Sequence, residues 1–506
     1  MDRFWIIFLS LAVVVPLTAA TYFYFFYPGE YDDGPMDESG FVWMPNRVDS
    51  GSVNETSFSR AKAKADKVQQ QFLAADYANV EFEIESARNR GYTPWYLGSW
   101  QAFYFKYLRE DPEATNPEDI ERAMQWTKNS PDNTYAFAFI GDLYTNLGWE
   151  ARGGEFAHET PKESFKKMYE FFNLAIVAYN KALEIDPANV YASRELLSMS
   201  RTGRLKIDKN RVFEEAIKHR PDYYYLYQSY LTDLDPRWGG SVDQMFEFAR
   251  RYSGDDSAYP ALSRLISKAH EYRANQLALK RSRLDPPVGQ ADVDWKVYWK
   301  EYYKYFRDDE VWDEYSHAFE TVFTAFPGYA DGLHRYAIVA EGSGRKQTAL
   351  KYFEKSMQAD AVLLGADKVF RFAGVLRAAN YNAQANKYYR MYLDLSPDYI
   401  DAKNAHAAAD FVGWQYSTEG KYKESFPYYK IVAELTPDSA RSLSNYCNAL
   451  YNIYEYEEGI KYCNQAIEID PEHSWSYYIL AEIYKRTGDS EQSLHYQNLY
   501  SGMTKQ

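Results

Sequence analysis

The chain holds only two cysteines, Cys447 and Cys463, too few for a disulfide framework or a cysteine-based zinc centre. Its histidines, His158, His219, His270, His317, His334, His406, His473 and His495, are scattered without metal-ligand spacing. His158-Glu159 and His270-Glu271 lack the second histidine, one turn on, that a zinc-protease helix requires. There is no Gly-x-Ser-x-Gly elbow, Cys-x-x-Cys pair or calcium loop. Gly342-Ser343-Gly344-Arg345-Lys346 misses the phosphate-loop spacing and no strand precedes it. Positive charge is in deficit, 57 Lys and Arg against 72 Asp and Glu for a net of −15, which argues against nucleic acid as a partner. No stretch alternates well enough to make a convincing strand, so the expected class is all-α. No catalytic residue, metal or cofactor is expected from local motifs.

Long apolar runs are also lacking, with one exception. Phe4 to Tyr27 carries no charge over 24 residues. As a helix rising about 1.5 Å per residue it would cross a hydrocarbon core of about 30 Å. Arg3 precedes it and Glu30, Asp32, Asp33, Asp37 and Glu38 follow. That asymmetry predicts a single-pass signal-anchor with a cytoplasmic amino terminus and an extracytoplasmic body. The rival is a signal peptide cut after Ala20, with Thr18 and Ala20 as the small residues of the cleavage site. Residues 28–58 turn to Gly, Asp, Ser and Pro and read as an extended linker, broken by Phe41, Val42 and Trp43. Asn54-Glu55-Thr56 fits a glycosylation sequon.

What is present is a helical period. Pro437 and Pro471 stand 34 residues apart. Between them Leu443, Tyr446, Cys447 and Leu450 fall on one helical face, and Gly459, Cys463 and Ala466 on another. Tyr477, Leu480, Ala481 and Tyr484 repeat the first set, Gly488 marks the turn and Ser493 answers Gly459. Small residues sit where helices cross, large ones where they interlock, and proline follows the second helix. This resembles the tetratricopeptide repeat. The resemblance implies an α-solenoid whose clearest units are 406–439, 440–473 and 474–506, within a module spanning 286–506. Ala349, Ala385, Ser425, Gly459 and Ser493 occupy its small position.

From residue 59 to 285 the repeats drift. Ala175, Tyr179 and Ala182 before Pro187, and Phe213 and Ala216 before Pro221, copy the second-helix half of a unit. The matching first helix lies upstream at Ile140, Gly141, Tyr144 and Gly148, so about 22 residues look inserted near 149–170. Insertions in solenoids gather on one surface, often a binding one. Trp149 to Gly154 and Pro236-Arg237-Trp238-Gly239-Gly240-Ser241 interrupt the pattern at turns, and Ser241 is a good N-cap. With its Arg-Gly-Gly segment, the stretch of about 75–285 resembles an uncharacterised bacterial helical-repeat domain, which implies a fold and no activity. Trp149 and Trp238 are expected to plug gaps between helices, and Arg152 and Arg237 to bond exposed carbonyls. Alternatively Arg152, Arg237 and Trp238 form a second surface, or, with Glu155 and His158, an enzyme site of unknown class.

Relatives of the tetratricopeptide type use the concave face lined by the first helix of each repeat. That geometry implies Trp414, Asn448, Tyr451, Asn452, Tyr478, Glu482, Lys485 and Arg486 as partner-binding residues, for an extended peptide or a helix. Ser444 stands where the carboxylate clamp of chaperone-binding relatives wants lysine. Cys447 and Cys463 meet at the crossing of one repeat, either as small buried residues or, if their Cα atoms lie about 5.5–6 Å apart in an oxidising compartment, as a disulfide. The expected function is a membrane-anchored, extracytoplasmic, non-enzymatic scaffold for a protein partner; a self-assembling envelope subunit is the alternative.

Overall fold

The computed structural model describes residues 57–88, 100–111, 114–154, 160–202, 204–253, 258–283, 293–396 and 401–504. The apolar run at 4–27, residues 28–56 and residues 284–290 lie outside the described residues; Ser57 and Phe58, expected at the end of the linker, already belong to the Ser57–Leu73 helix. Among those described the architecture is helical throughout, with a single isolated bridge, Arg283 to Val293, in place of any sheet. No described helix is long and apolar enough to cross a membrane.

One turn builds most of the molecule. A helix stops where the residue before a proline donates its N–H four residues back: Ser130 to Trp126, Asp186 to Ala182, Arg220 to Ala216, Phe326 to Val322, Thr436 to Val432 and Asp470 to Ala466. The proline that follows has no N–H to continue the ladder, so the chain must leave the axis. A second bond closes the turn from two residues beyond the proline, as from Asn189 to Asp186 and from His473 to Asp470, at 3.0 and 3.1 Å. Side-chain caps then open the next helix. Asn133, Asn189, Asp208, Ser241, Asp308, Asp401, Ser439 and Asp489 each accept a backbone N–H two or three residues on.

The helices form two compact units that divide between Ala359 and Asp360. Asp360 breaks the Lys346–Leu364 helix with extended backbone and caps its second part by accepting the Leu363 N–H at 3.0 Å. The module boundary expected between 285 and 286 does not separate units. Asp294 donates to the Ser282 carbonyl at 3.0 Å, so the chain returns where it left, and both flanking helices belong to the first unit.

In the first unit, residues 149–152 and 162–170 of the expected insertion at 149–170 extend two long helices. Thr134–Arg152 runs 19 residues and Lys162–Ile185 runs 24. The two approach closely because Gly141 and Gly148 have no side chain: a Cβ would stand 2.7 Å from the Tyr179 ring and 2.5 Å from the Phe172 ring. Trp149 is buried against Phe172, ring centres 4.9 Å apart, and fills the gap as expected.

The second unit carries the regular pairs: Ala402–Thr418 with Tyr422–Leu435, Ala440–Asn452 with Tyr456–Ile469, and Ser474–Thr487 with Ser490–Met503. Leu443, Tyr446 and Leu450 pack with Tyr429, Ala433 and Ala466, and Cys447 and Cys463 pack with Ile479, Leu480 and Ile483. The small positions are closed: Ala385, Ser425 and Gly459 are buried, and Ser493 donates to the Ala481 carbonyl at 2.9 Å. These contacts hold the first helix of each pair at fixed spacing.

Candidate functional site

On Ser474–Thr487 the buried residues Ser476, Tyr477, Ile479, Leu480, Ala481 and Ile483 define the core side. Tyr478, Glu482 and Lys485 follow at intervals of four and three on the opposite stripe. Tyr478 is 38% exposed, and Lys485 lies 3.7 Å from Glu482. Burial, then the nearby Glu482 carboxylate and the Tyr451 and Tyr500 phenols, raise the Tyr478 hydroxyl above its ordinary pKa, which draws these groups into one patch. The nearby Tyr451 hydroxyl raises the pKa of the Arg486 guanidinium.

On Ala440–Asn452 the stripe continues with Asn448, Tyr451 and Asn452. Asn452 Nδ2 donates to the Asn448 carbonyl at 2.7 Å and to its Oδ1 at 3.3 Å, so the two amides are held against each other. Ser444 is fully buried, so it is no substitute for a clamp lysine. Trp414, one pair earlier, is 50% exposed beside Phe411. The structure therefore places Tyr478, Glu482, Lys485 and Arg486 on one first helix, with Asn448, Tyr451 and Asn452 on the first helix before it and Trp414 on the one before that.

Two aromatic members escaped the sequence reading. Trp475 is 42% exposed and stacks on Tyr478 with ring centres 4.8 Å apart. It precedes Tyr478 by three residues, so helical spacing alone contained the signal. Tyr500, on Ser490–Met503, meets Tyr478 at 5.4 Å, and no spacing in the sequence announces that contact.

The turn residues of the first unit behave differently from one another. Arg152 is buried and donates to the Gly153 carbonyl at 2.8 Å, as expected of it. Arg237 instead holds the carboxylate of Asp235, two residues before it, at 2.9 and 3.0 Å, and that carboxylate also caps the turn by accepting the Arg237 N–H at 2.8 Å. Trp238 plugs no gap; it is 42% exposed at the surface. Arg152 and Arg237 are thus each engaged within their own turn. Glu155 and His158 lie outside the described residues.

The first unit also contains a cleft of about 820 Å³ lined in part by Phe246, Arg250, His270, Arg273, Tyr305 and Glu314. His270 Nδ1 meets the Tyr305 hydroxyl at 2.9 Å and Nε2 meets Glu314 at 3.0 Å, while Arg250 grips the same carboxylate at 2.8 and 2.9 Å. Burial lowers the pKa of His270. Among the described residues no cluster of acids, histidines or cysteines has the arrangement of a metal site.

With this geometry in hand, family models of the tetratricopeptide repeat match residues 440–473 and 462–495. The first spans one helix pair from cap to proline, and the chain is a tetratricopeptide-repeat protein in that region. Such repeats support a protein-interaction scaffold. A Saccharomyces cerevisiae protein, RNA polymerase-associated protein CTR9, is 25% identical over 179 residues, 34% of this chain. The match spans only 16% of that relative's length. Among solved structures, YrrB, a TPR protein with an unusual peptide-binding site, is 16% identical with a TM-score of 0.29, covering 37% of this chain and 92% of its own. MamA from Desulfovibrio magneticus RS-1 is 17% identical with a TM-score of 0.27, covering 35% and 95%. Scores this low carry no weight beside the repeat matches.

Proposed function

We propose that this chain is a non-enzymatic scaffold, anchored in a membrane by residues 4–27 and tethered by 28–58, whose extracytoplasmic repeats bind a protein partner on the stripe running from Trp414 through Asn448, Tyr451 and Asn452 to Tyr478, Glu482, Lys485 and Arg486. The observation that carries it is the exposed cluster around Tyr451 and Tyr478, built on two consecutive first helices of matched repeats. Aromatic rings interleaved with amides and both signs of charge suit an extended peptide or a helix, which needs apolar anchors and directional polar contacts together. The uncharged run from Phe4 to Tyr27 supports the anchor. The bond between Cys447 and Cys463, with Cα atoms 5.5 Å apart, supports an oxidising compartment.

The test is co-purification from detergent extracts, comparing wild type with the triple variant Asn448→Ala, Tyr451→Ala and Lys485→Ala. A stoichiometric protein partner lost from the variant is the expected result; a partner retained in full would move the site elsewhere. For topology, protease added outside cells with a permeabilised outer envelope should digest the repeats. Complete protection would reverse the orientation.

A further inference from the structure

At one end of the stripe Trp475 and Tyr478 are exposed and stacked with an interplanar angle of 21°, and the half-buried Tyr500 ring packs beside Tyr478. Large rings are left exposed at a cost, since burying them is favourable. Elsewhere in the chain guanidinium groups do lie over rings: Arg345 4.3 Å over the buried Trp312, Arg377 5.0 Å over the buried Phe411 and Arg250 5.0 Å over the half-buried Phe246. Among the described residues no arginine or lysine covers Trp475, Tyr478 or Tyr500. Those contacts show that a guanidinium can lie over a ring in this chain, and here the ring faces carry none.

The surrounding charge has the matching sign. Residues 440–504 contain nine acids and four lysines and arginines, a balance of −5, within a chain of net −15. Glu482, one turn beyond Tyr478, offers a carboxylate at the edge of the rings. Its present partner, Lys485, is 3.7 Å away with a side chain 70% exposed, an ion pair of the kind that contributes little and exchanges readily. A ring face attracts a cation through its quadrupole, and a planar guanidinium stacks on it while donating in-plane hydrogen bonds to a carboxylate. A lysine ammonium can satisfy the charge but cannot stack.

The geometry points to an arginine-selective subsite: the Trp475, Tyr478 and Tyr500 rings take the guanidinium of a basic peptide segment, and Glu482 fixes its orientation. This rests on the stripe being the partner-binding surface and specifies what the partner brings to it. It assigns the partner a basic, arginine-containing segment laid along the first helices.

Fluorescence anisotropy with the full-length protein in detergent tests this directly. The probe is a fluorescein-labelled glycine-serine nonapeptide carrying several arginines, alongside matched lysine and glutamate peptides. The arginine peptide should bind more tightly than the lysine one, with no binding of the glutamate one. Trp475→Ala should weaken the arginine peptide about fivefold and Trp475→Phe much less, as expected for an exposed cation-ring contact. Glu482→Lys should weaken it more than tenfold. Trp475 is at the surface, so helical content should be unchanged by circular dichroism in each variant. Equal binding of arginine and glutamate peptides, or an arginine peptide indifferent to Trp475→Ala, overturns the subsite. A natural partner that is lost on Asn448→Ala and Tyr451→Ala but unaffected by Trp475→Ala would overturn the subsite while leaving the binding stripe intact. Failure of the stripe itself would show instead as a partner that survives the triple variant.

Discussion

Cys447 and Cys463 join the two helices of one repeat, sixteen residues apart in sequence and 5.5 Å apart at Cα. Both are fully buried at the crossing, among Ile479, Leu480 and Ile483 of the next helix. A cross-link closing a loop of this length removes unfolded-state entropy worth about 3 kcal/mol. Replacing both residues by serine should therefore lower the melting temperature of the repeats measured by calorimetry, and intact-mass spectrometry of the wild type should show two hydrogens fewer than the reduced chain. An unshifted melting temperature would mean that the pair adds no stability beyond packing.

Glu271 is the anion of a buried charge cluster. It accepts from Arg264 at 2.7 Å and pairs with Lys268 at 3.2 Å, and the Arg264 guanidinium lies 4.4 Å over the Phe319 ring. Burial raises its pKa, but Arg264 and Lys268 outweigh that and hold it near 2, while burial drives Lys268 down to about 8. Removing one partner of a buried set leaves uncompensated charge, typically at a cost of about 3–5 kcal/mol. Glu271→Gln should destabilise the first unit by that order in urea titrations near neutral pH. Because the folded value lies below the ordinary 4.5, the carboxylate's contribution is complete above that pH and disappears as pH falls toward 2. The gap between wild type and variant should narrow across that window, and a constant gap would remove the electrostatic explanation.

The repeat was legible because its determinants are local: proline at a fixed interval, small residues at crossings, an N-cap two residues later. The same turn at Pro131 and Pro327 went unread, since the flanking helices there depart from the 34-residue interval. The partner-binding stripe followed from helical arithmetic, and Trp475 lay within reach of it. Contacts between elements were not legible. His270 and Glu271 are neighbours in sequence and look inert together, yet about 100° of helical rotation sends one to Tyr305 and Glu314 and the other to Tyr315. Arg237 and Trp238 were misjudged for a similar reason: a carboxylate two residues away outcompetes a carbonyl as partner for a guanidinium, and the tryptophan beside it is left at the surface.

The two glycines of that turn have separable roles. Gly239 adopts φ +91° with nothing within 4 Å of a Cβ, so alanine there meets only backbone strain, about 1–2 kcal/mol. A Cβ on Gly240 would stand 2.1 Å from the Leu234 carbonyl oxygen, which no side-chain rotation relieves. Gly240→Ala should consequently destabilise the first unit distinctly more than Gly239→Ala in parallel thermal melts. Equal effects would indicate that the Leu234 carbonyl can move aside.

His270 sets a pH limit on the same unit. It is buried, with Phe246 packed edge-on at 4.8 Å, Tyr305 on Nδ1 and the Glu314 carboxylate, itself held by Arg250, on Nε2. Burial lowers its pKa below the ordinary 6.5, against the opposing pull of Glu314. As pH falls through that value the unfolded chain takes up a proton that the folded chain refuses, so stability declines, by at most about 1.4 kcal/mol per pH unit, until the folded-state pKa is reached. The Arg250 bond lowers the Glu314 pKa from 4.5, so its titration falls in a more acidic range and does not obscure the effect. His270→Gln keeps one hydrogen-bonding group and cannot titrate. Its stability, measured by urea titration, should be lower than wild type at neutral pH and flatter as pH falls below 6.5, so the two curves converge on acidification. Parallel curves would show that His270 carries the same charge in both states and that the acid sensitivity of the unit originates in another group.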